Sequence, residues 1–90
     1  MFYVYTLISR KDGKLYIGYT NNLERRVKRH ENGFVKATAN RRPLKLIYYE
    51  AYLEEKDAKR RELYLKGGNG RAVLKIQLAD TFKKAGYKYR

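Results

Sequence analysis

Apolar residues run consecutively at the start of this chain and shift to helical spacing further along. Residues 2–9, Phe-Tyr-Val-Tyr-Thr-Leu-Ile-Ser, are apolar on both faces and rich in strand formers. That pattern predicts a strand covered on both sides, and so a central one. Lys11-Asp12-Gly13 is a turn, and Asp-Gly between two such runs is a strong hairpin signal. The returning strand covers residues 14–19. Asn21 or Asn22 can cap a helix over roughly 22–32. Leu23, Val27 and His30 fall at i, i+4, i+7 on its inner face, and Asn32-Gly33 ends it. Residues 33–43 carry small, polar and turn residues and read as a surface loop. A third strand follows over 44–52. The next helix covers roughly 54–66, with Glu54, Glu55 and Asp57 in its first turn and Lys59, Arg60, Arg61 and Lys66 later, as the helix dipole favours. Gly67-Gly68-Asn69-Gly70 breaks the chain. A last helix over about 71–85 carries Leu74, Leu78 and Phe82 on one stripe, with Val73 and Ile76 beside it.

The order β-β-α-β-α-α predicts an α+β fold, a three-stranded antiparallel sheet with the first strand central and three helices flanking it. Ninety residues leave room for one core, so residues 1–90 read as a single domain.

Charge changes the picture from fold to partner. The chain has 22 Lys and Arg against 9 Asp and Glu, a net charge of +13. Such an excess strains a compact state by self-repulsion and points to a polyanion. Within residues 24–45 there are eight Lys or Arg and two Glu. Arg25, Arg26, Lys28, Arg29, Arg41 and Arg42 are therefore candidates for phosphate contacts, although Arg41-Arg42 also fits an ordinary solvated pair. Cysteine is absent and there is one His, which excludes disulfides and a tetrahedral structural zinc site. No apolar run reaches the length of a membrane helix. The N-terminus lacks the charged region and cleavage site of a signal peptide. The expected location is the cytoplasm, with association with the nucleoid left open.

The candidate chemistry lies in the hairpin. Tyr3-Val4-Tyr5 and Tyr16-Ile17-Gly18 come side by side on paired strands, and Asn22-Leu23-Glu24-Arg25-Arg26 follows at once. Paired phenols beside arginines suggest chemistry on a phosphate. Arg26 and His30 share a helix face at i, i+4. Glu62 lies four after Ala58 and three before Leu65, on the inward stripe of its helix, where a carboxylate is costly unless paired or bound to metal. Each of these residues has a plainer role open to it. Tyr5 or Tyr16 alone would pack, His30 could simply close a helix end, and Glu62 could pair with Lys66 at i, i+4. The Gly67–Gly70 run lacks the Lys and Ser/Thr of a Walker loop and reads better as a turn.

Taken together, these residues resemble the GIY-YIG nuclease superfamily over nearly the whole chain, in its compact single-domain branch. Arg61-Glu62-x-Tyr64-Leu65-Lys66 extends the match. The resemblance implies a metal-dependent endonuclease hydrolysing DNA phosphodiester bonds, structure-selective and serving repair or recombination. It implies Tyr5 and Tyr16 as active-site tyrosines, Arg26 as the phosphate-stabilising arginine and His30 as a helper. Glu62 would be the sole protein ligand of Mg²⁺ or Mn²⁺. A tyrosine would take a water's proton, with Arg26 and the metal favouring its phenolate. This chain departs from the pattern at Tyr3, in place of the first glycine, and at Tyr19, where repair enzymes have a lysine. Asn69 is a candidate for the distal asparagine of some members. The implied partner is DNA, with RNA open and a specificity-giving partner protein open. The alternative function is a non-catalytic nucleic-acid-binding module on the same fold.

Overall fold

A computed structural model describes residues 1–86. β1 (Phe2–Ser9) lies between β2 (Leu15–Thr20) and β3 (Leu44–Tyr52) in a three-stranded antiparallel sheet of order β2-β1-β3. The run apolar on both faces is thus the central strand, buried from Val4 through Ser9. Its hairpin closes where the Ser9 N–H donates to the Lys14 carbonyl at 2.9 Å, and Gly13 takes φ +72°, a value glycine reaches without steric cost.

One face of the sheet carries the apolar core. Val4, Ile8, Leu15 and Ile17 meet Ala58 and Leu65 of α2 (Glu55–Lys66), Leu74 of α3 (Gly68–Gln77), and Phe82 and Ala85 of α4 (Ala79–Ala85). Each of the larger side chains stabilises the fold by roughly 1.5–3 kcal/mol through its burial. The opposite face holds Tyr5 and Leu7 under α1 (Leu23–Glu31) and the segment after it. α1 starts where expected, with the Asn22 side chain accepting the Arg25 N–H at 3.1 Å.

Three expectations need correction. The glycine run breaks the helix as expected, but only at Gly67: α3 already starts at Gly68 and takes up the rest of the run. Gly70 is buried, and a Cβ there would lie 2.0 Å from the Tyr64 carbonyl oxygen, so glycine lets α3 fold tightly against the end of α2. The last helix is two, parted at Leu78, which lets Phe82 and Ala85 turn back to the core. α3 buries only the narrow stripe of Gly70 and Leu74, which leaves Val73 and Ile76 exposed. Residues 33–43 are not wholly a surface loop either. α1 is too short to cover its sheet face, so Val35 and Thr38 are buried there, followed by a 3₁₀ turn at Ala39–Arg41. Among the described residues, no helix is long and apolar enough to cross a membrane.

Candidate active site

The site forms where the inner end of α1 meets the β1–β2 hairpin. Tyr5 pairs with Gly18 across the ladder, and Leu7 with Tyr16. Tyr5 and Tyr16 are therefore diagonal neighbours on one face, with ring centroids 6.4 Å apart. The Tyr5 phenol lies over Gly18, where a Cβ would come within 2.4 Å of Tyr5 Cζ and Oη. Gly18 is thus needed for close approach. His30 completes a cluster of three rings, 5.5 Å from Tyr5 and 5.2 Å from Tyr16. Tyr5 and His30 are buried, whereas Tyr16 and Arg26 are half-buried and reach the surface.

A chain of hydrogen bonds runs behind that surface. Arg26 Nε donates to Tyr5 Oη at 3.4 Å. Tyr5 Oη lies 2.8 Å from His30 Nε2, and His30 Nδ1 lies 2.7 Å from Thr38 Oγ1. Thr38 Oγ1 donates to the Val35 carbonyl at 3.5 Å. One assignment of protons satisfies every group. Thr38 donates to Val35, His30 Nδ1–H donates to Thr38, and Tyr5 O–H donates to the free Nε2. Thr38 was not legible as part of the site, because the loop that brings it under His30 has no periodicity to place it.

Burial sets the protonation states. It pushes the Tyr5 phenol up to about 12, and Arg26 offsets only part of this. Arg26 alone therefore does not draw Tyr5 to phenolate, and the phenol holds its proton at neutral pH. Burial, aided by the Arg26 charge, pulls His30 down to about 4, so its imidazole is neutral. The consequence is a pH dependence of stability. His30 titrates near 6.5 when unfolded and near 4 when folded, so the unfolded chain binds the extra proton between these values. Stability should be intact above about pH 6.5 and fall by roughly 3 kcal/mol on acidification to about pH 4. Asp12, held down to about 2 by Arg41, loses its contribution only below that window. Chemical denaturation of wild type and His30→Gln at pH 7 and pH 5 checks this. The wild type should lose stability and the variant should not. Equal slopes would remove His30 as the cause.

Glu62 sits on α2 with its side chain 22% exposed and Lys66 Nζ 3.1 Å away. The carboxylate is therefore at the rim of the core, partly neutralised by Lys66, and not fully inward as its helical phase implied. Its charge still acts on the phenols of both Tyr5 and Tyr19. Tyr19 donates to Glu55 at 2.6 Å, which pushes its phenol up to about 12, and Lys59 lies over its ring at 5.4 Å. Among the described residues, no three His, Cys, Asp or Glu converge on a common point. One carboxylate at a half-open rim suits a hard cation that keeps most of its waters, as Mg²⁺ does.

The remaining candidates separate. Arg25, Lys28 and Arg29 are exposed along α1, and with Arg26 they border hollows on its outer side. Arg41 is occupied: its Nε donates to Asp12 at 2.8 Å, and its carbonyl accepts from Ser9 Oγ at 2.6 Å. Arg42 is exposed and donates to the Ala39 carbonyl at 3.0 Å. Asn69 is exposed on the first turn of α3.

Relatives share this arrangement's framework. Residues 1–77 match the GIY-YIG catalytic domain. A UPF0213 protein of Clostridium perfringens is 39% identical over 89 residues, covering 98% of this chain and 95% of the relative. A UPF0213 protein of Bacillus licheniformis is 46% identical over 66 residues, covering 72% of this chain and 65% of that one. The solution NMR structure of a UPF0213 protein from Bacillus halodurans aligns with a TM-score of 0.53 at 35% identity, over 87% of this chain and 85% of that one. The sheet order, the Tyr5–Tyr16 pair with Tyr5 over Gly18 and the extent of these matches lead to one assignment: the chain belongs to the GIY-YIG catalytic-domain family.

Proposed function

We propose that this protein is a metal-dependent endonuclease hydrolysing DNA phosphodiester bonds, selecting its substrate by structure, as repair and recombination require. The observation that carries this is that half-buried Tyr16 and Arg26 meet the buried Tyr5–His30 pair directly behind them. Arg26 uses Nε on Tyr5, which leaves its terminal nitrogens for phosphoryl oxygens and fixes the plane of the fork. Tyr16 is the half-buried phenol of the pair, so as a phenolate it would take the water's proton and return to the neutral phenol. Tyr5 lies behind it, keeps its own proton on the bond to His30, and orients Arg26. Glu62 would hold Mg²⁺ or Mn²⁺, which when bound supplies Lewis-acid stabilisation of charge on the phosphate.

A second reading has its own observation. Glu62 is paired with Lys66, and Tyr5 shows no tendency to ionise, which a non-catalytic nucleic-acid-binding module would also display. Incubation with linear, nicked, flap and single-stranded DNA and with RNA, with and without Mg²⁺ or Mn²⁺, separates them. Metal-dependent cutting supports the nuclease; tight binding with no cutting on any substrate supports the module.

Binding itself should be dominated by phosphate contacts from Arg25, Arg26, Lys28, Arg29 and Arg42. Its log–log salt slope is then about −0.9 per phosphate neutralised. Arg25→Ala should flatten that slope by about 1. Arg41→Ala should leave the slope unchanged and lower stability instead, because Arg41 anchors the hairpin through Asp12. Affinity that hardly responds to salt would rule this account out.

A further inference from the structure

Phe34 stands exposed beside the basic outer face of α1. Its side chain is 66% exposed, and the Arg29 guanidinium lies 5.9 Å from its ring centroid. Its backbone is fixed: the Phe34 N–H donates to the Arg29 carbonyl at 2.9 Å, after Gly33 turns the chain at φ +79°. The helix end that places His30 therefore also presents this ring. Phe34 borders an open hollow with Asn22, Glu24, Arg25, Lys28, Arg29 and Asn32, in which Glu24 pairs with Lys28 at 3.5 Å and leaves Arg25 and Arg29 in excess. A neighbouring hollow shares Asn22, Arg25 and Arg29 and reaches Arg26. A continuous cationic track thus leads from Arg26 to an exposed aromatic face.

We infer that Phe34, with Arg29 beside it, is a stacking platform for an unpaired nucleobase close to the bond presented to Arg26. Charge complementarity selects the occupant. Arg25, Lys28 and Arg29 attract a phosphodiester backbone, and a phenyl ring among them offers a strand's bases a π-face. A base inside a duplex already has both faces covered by its neighbours. A single-stranded, flapped or extruded base can lie on Phe34 without the cost of unstacking a paired neighbour. This inference rests on the reading of α1 as the nucleic-acid face and names the feature its substrate must carry.

The test is binding of the full chain in EDTA to DNA labelled with 2-aminopurine, as a single strand, as a flap and as a fully paired duplex. The platform predicts quenching of the unpaired label on stacking and tighter binding of the two unpaired forms. Phe34→Ala should lose roughly ten- to a hundredfold in affinity for those forms and lose the quenching. Duplex affinity and the salt slope should stay as in wild type, and Phe34→Tyr should restore the preference. Phe34 is exposed, so folding of both variants is expected and circular dichroism verifies it. Equal losses on duplex and unpaired DNA, or no loss on either, overturn the platform. Because no metal is present, the result is independent of cutting. A protein that quenches the label in EDTA yet cleaves none of these DNAs when Mg²⁺ or Mn²⁺ is supplied in a separate assay sustains the platform and removes the nuclease reading.

Discussion

Glu62→Gln is expected to abolish phosphodiester cleavage while leaving DNA binding as tight as in wild type or slightly tighter. The change removes one charge and almost no volume, so α2 should keep its packing around Ala58 and Leu65. Two effects then run in opposite directions. The carboxylate that would anchor the divalent ion is gone, and among the described residues no cluster of three other metal-binding side chains can stand in for it. At the same time Lys66, 3.1 Å from Glu62 in wild type, loses its partner and joins the cationic field that attracts phosphate. Nicking in Mg²⁺ and binding in EDTA, measured side by side, read both effects. A variant that cuts at the wild-type rate would remove Glu62 from the mechanism. Loss of binding together with cutting would mean that the substitution had damaged the fold.

The sheet and its hairpin were legible because their signals are local. Asp12-Gly13 sets the turn, the doubly apolar run of β1 demands cover on both faces, and Gly18 follows Tyr16 at a distance fixed by strand geometry. α1 was legible for the same reason, since Asn22 caps it and Asn32-Gly33 ends it within the sequence window itself. The errors fall where a distant contact decides. Gly67–Gly70 reads as a four-residue break, yet only Gly67 is one, because Gly70 already packs in α3 against the Tyr64 carbonyl on the preceding helix. Residues 33–43 look solvated, yet their Val35 and Thr38 fill a sheet face that α1 leaves open. Arg41 reads as a candidate phosphate contact or a solvated residue, and its tie to Asp12, 29 residues away, leaves no local trace.

The site divides in the same way. Spacing could put Arg26 and His30 on one helix face and the tyrosines on paired strands. It could not say which phenol is buried. That distinction matters more to the chemistry than the pairing does, because burial raises the Tyr5 phenol to about 12 and lowers His30 to about 4. An arginine beside a tyrosine reads as a route to phenolate only if water still reaches the oxygen. Here desolvation outweighs Arg26, and the two tyrosines take different positions.

Tyr16→Phe should therefore be the more damaging of the two tyrosine substitutions for the rate, and Tyr5→Phe the more damaging for stability. Tyr16 is half-buried, so removing its hydroxyl strands no buried partner. What it should cost is proton transfer from the attacking water, typically roughly 10²–10⁴-fold in rate. Tyr5 is 1% exposed and donates to a fully buried His30, so its removal leaves Nε2 without a donor in an apolar setting. An unsatisfied buried acceptor costs roughly 1–3 kcal/mol. The Arg26 Nε loses its acceptor as well, so Tyr5→Phe should also slow cleavage by loosening the guanidinium against the phosphate. That loss should be smaller than for Tyr16→Phe, and it should grow with salt, as contacts held by charge alone are screened. Single-turnover cleavage at saturating enzyme, paired with denaturant unfolding, separates the two contributions. Wild-type stability in Tyr5→Phe together with the greater rate loss would exchange the roles and make the buried phenol the proton acceptor. Wild-type rates in both variants would leave the phenols as packing for the ring cluster around His30.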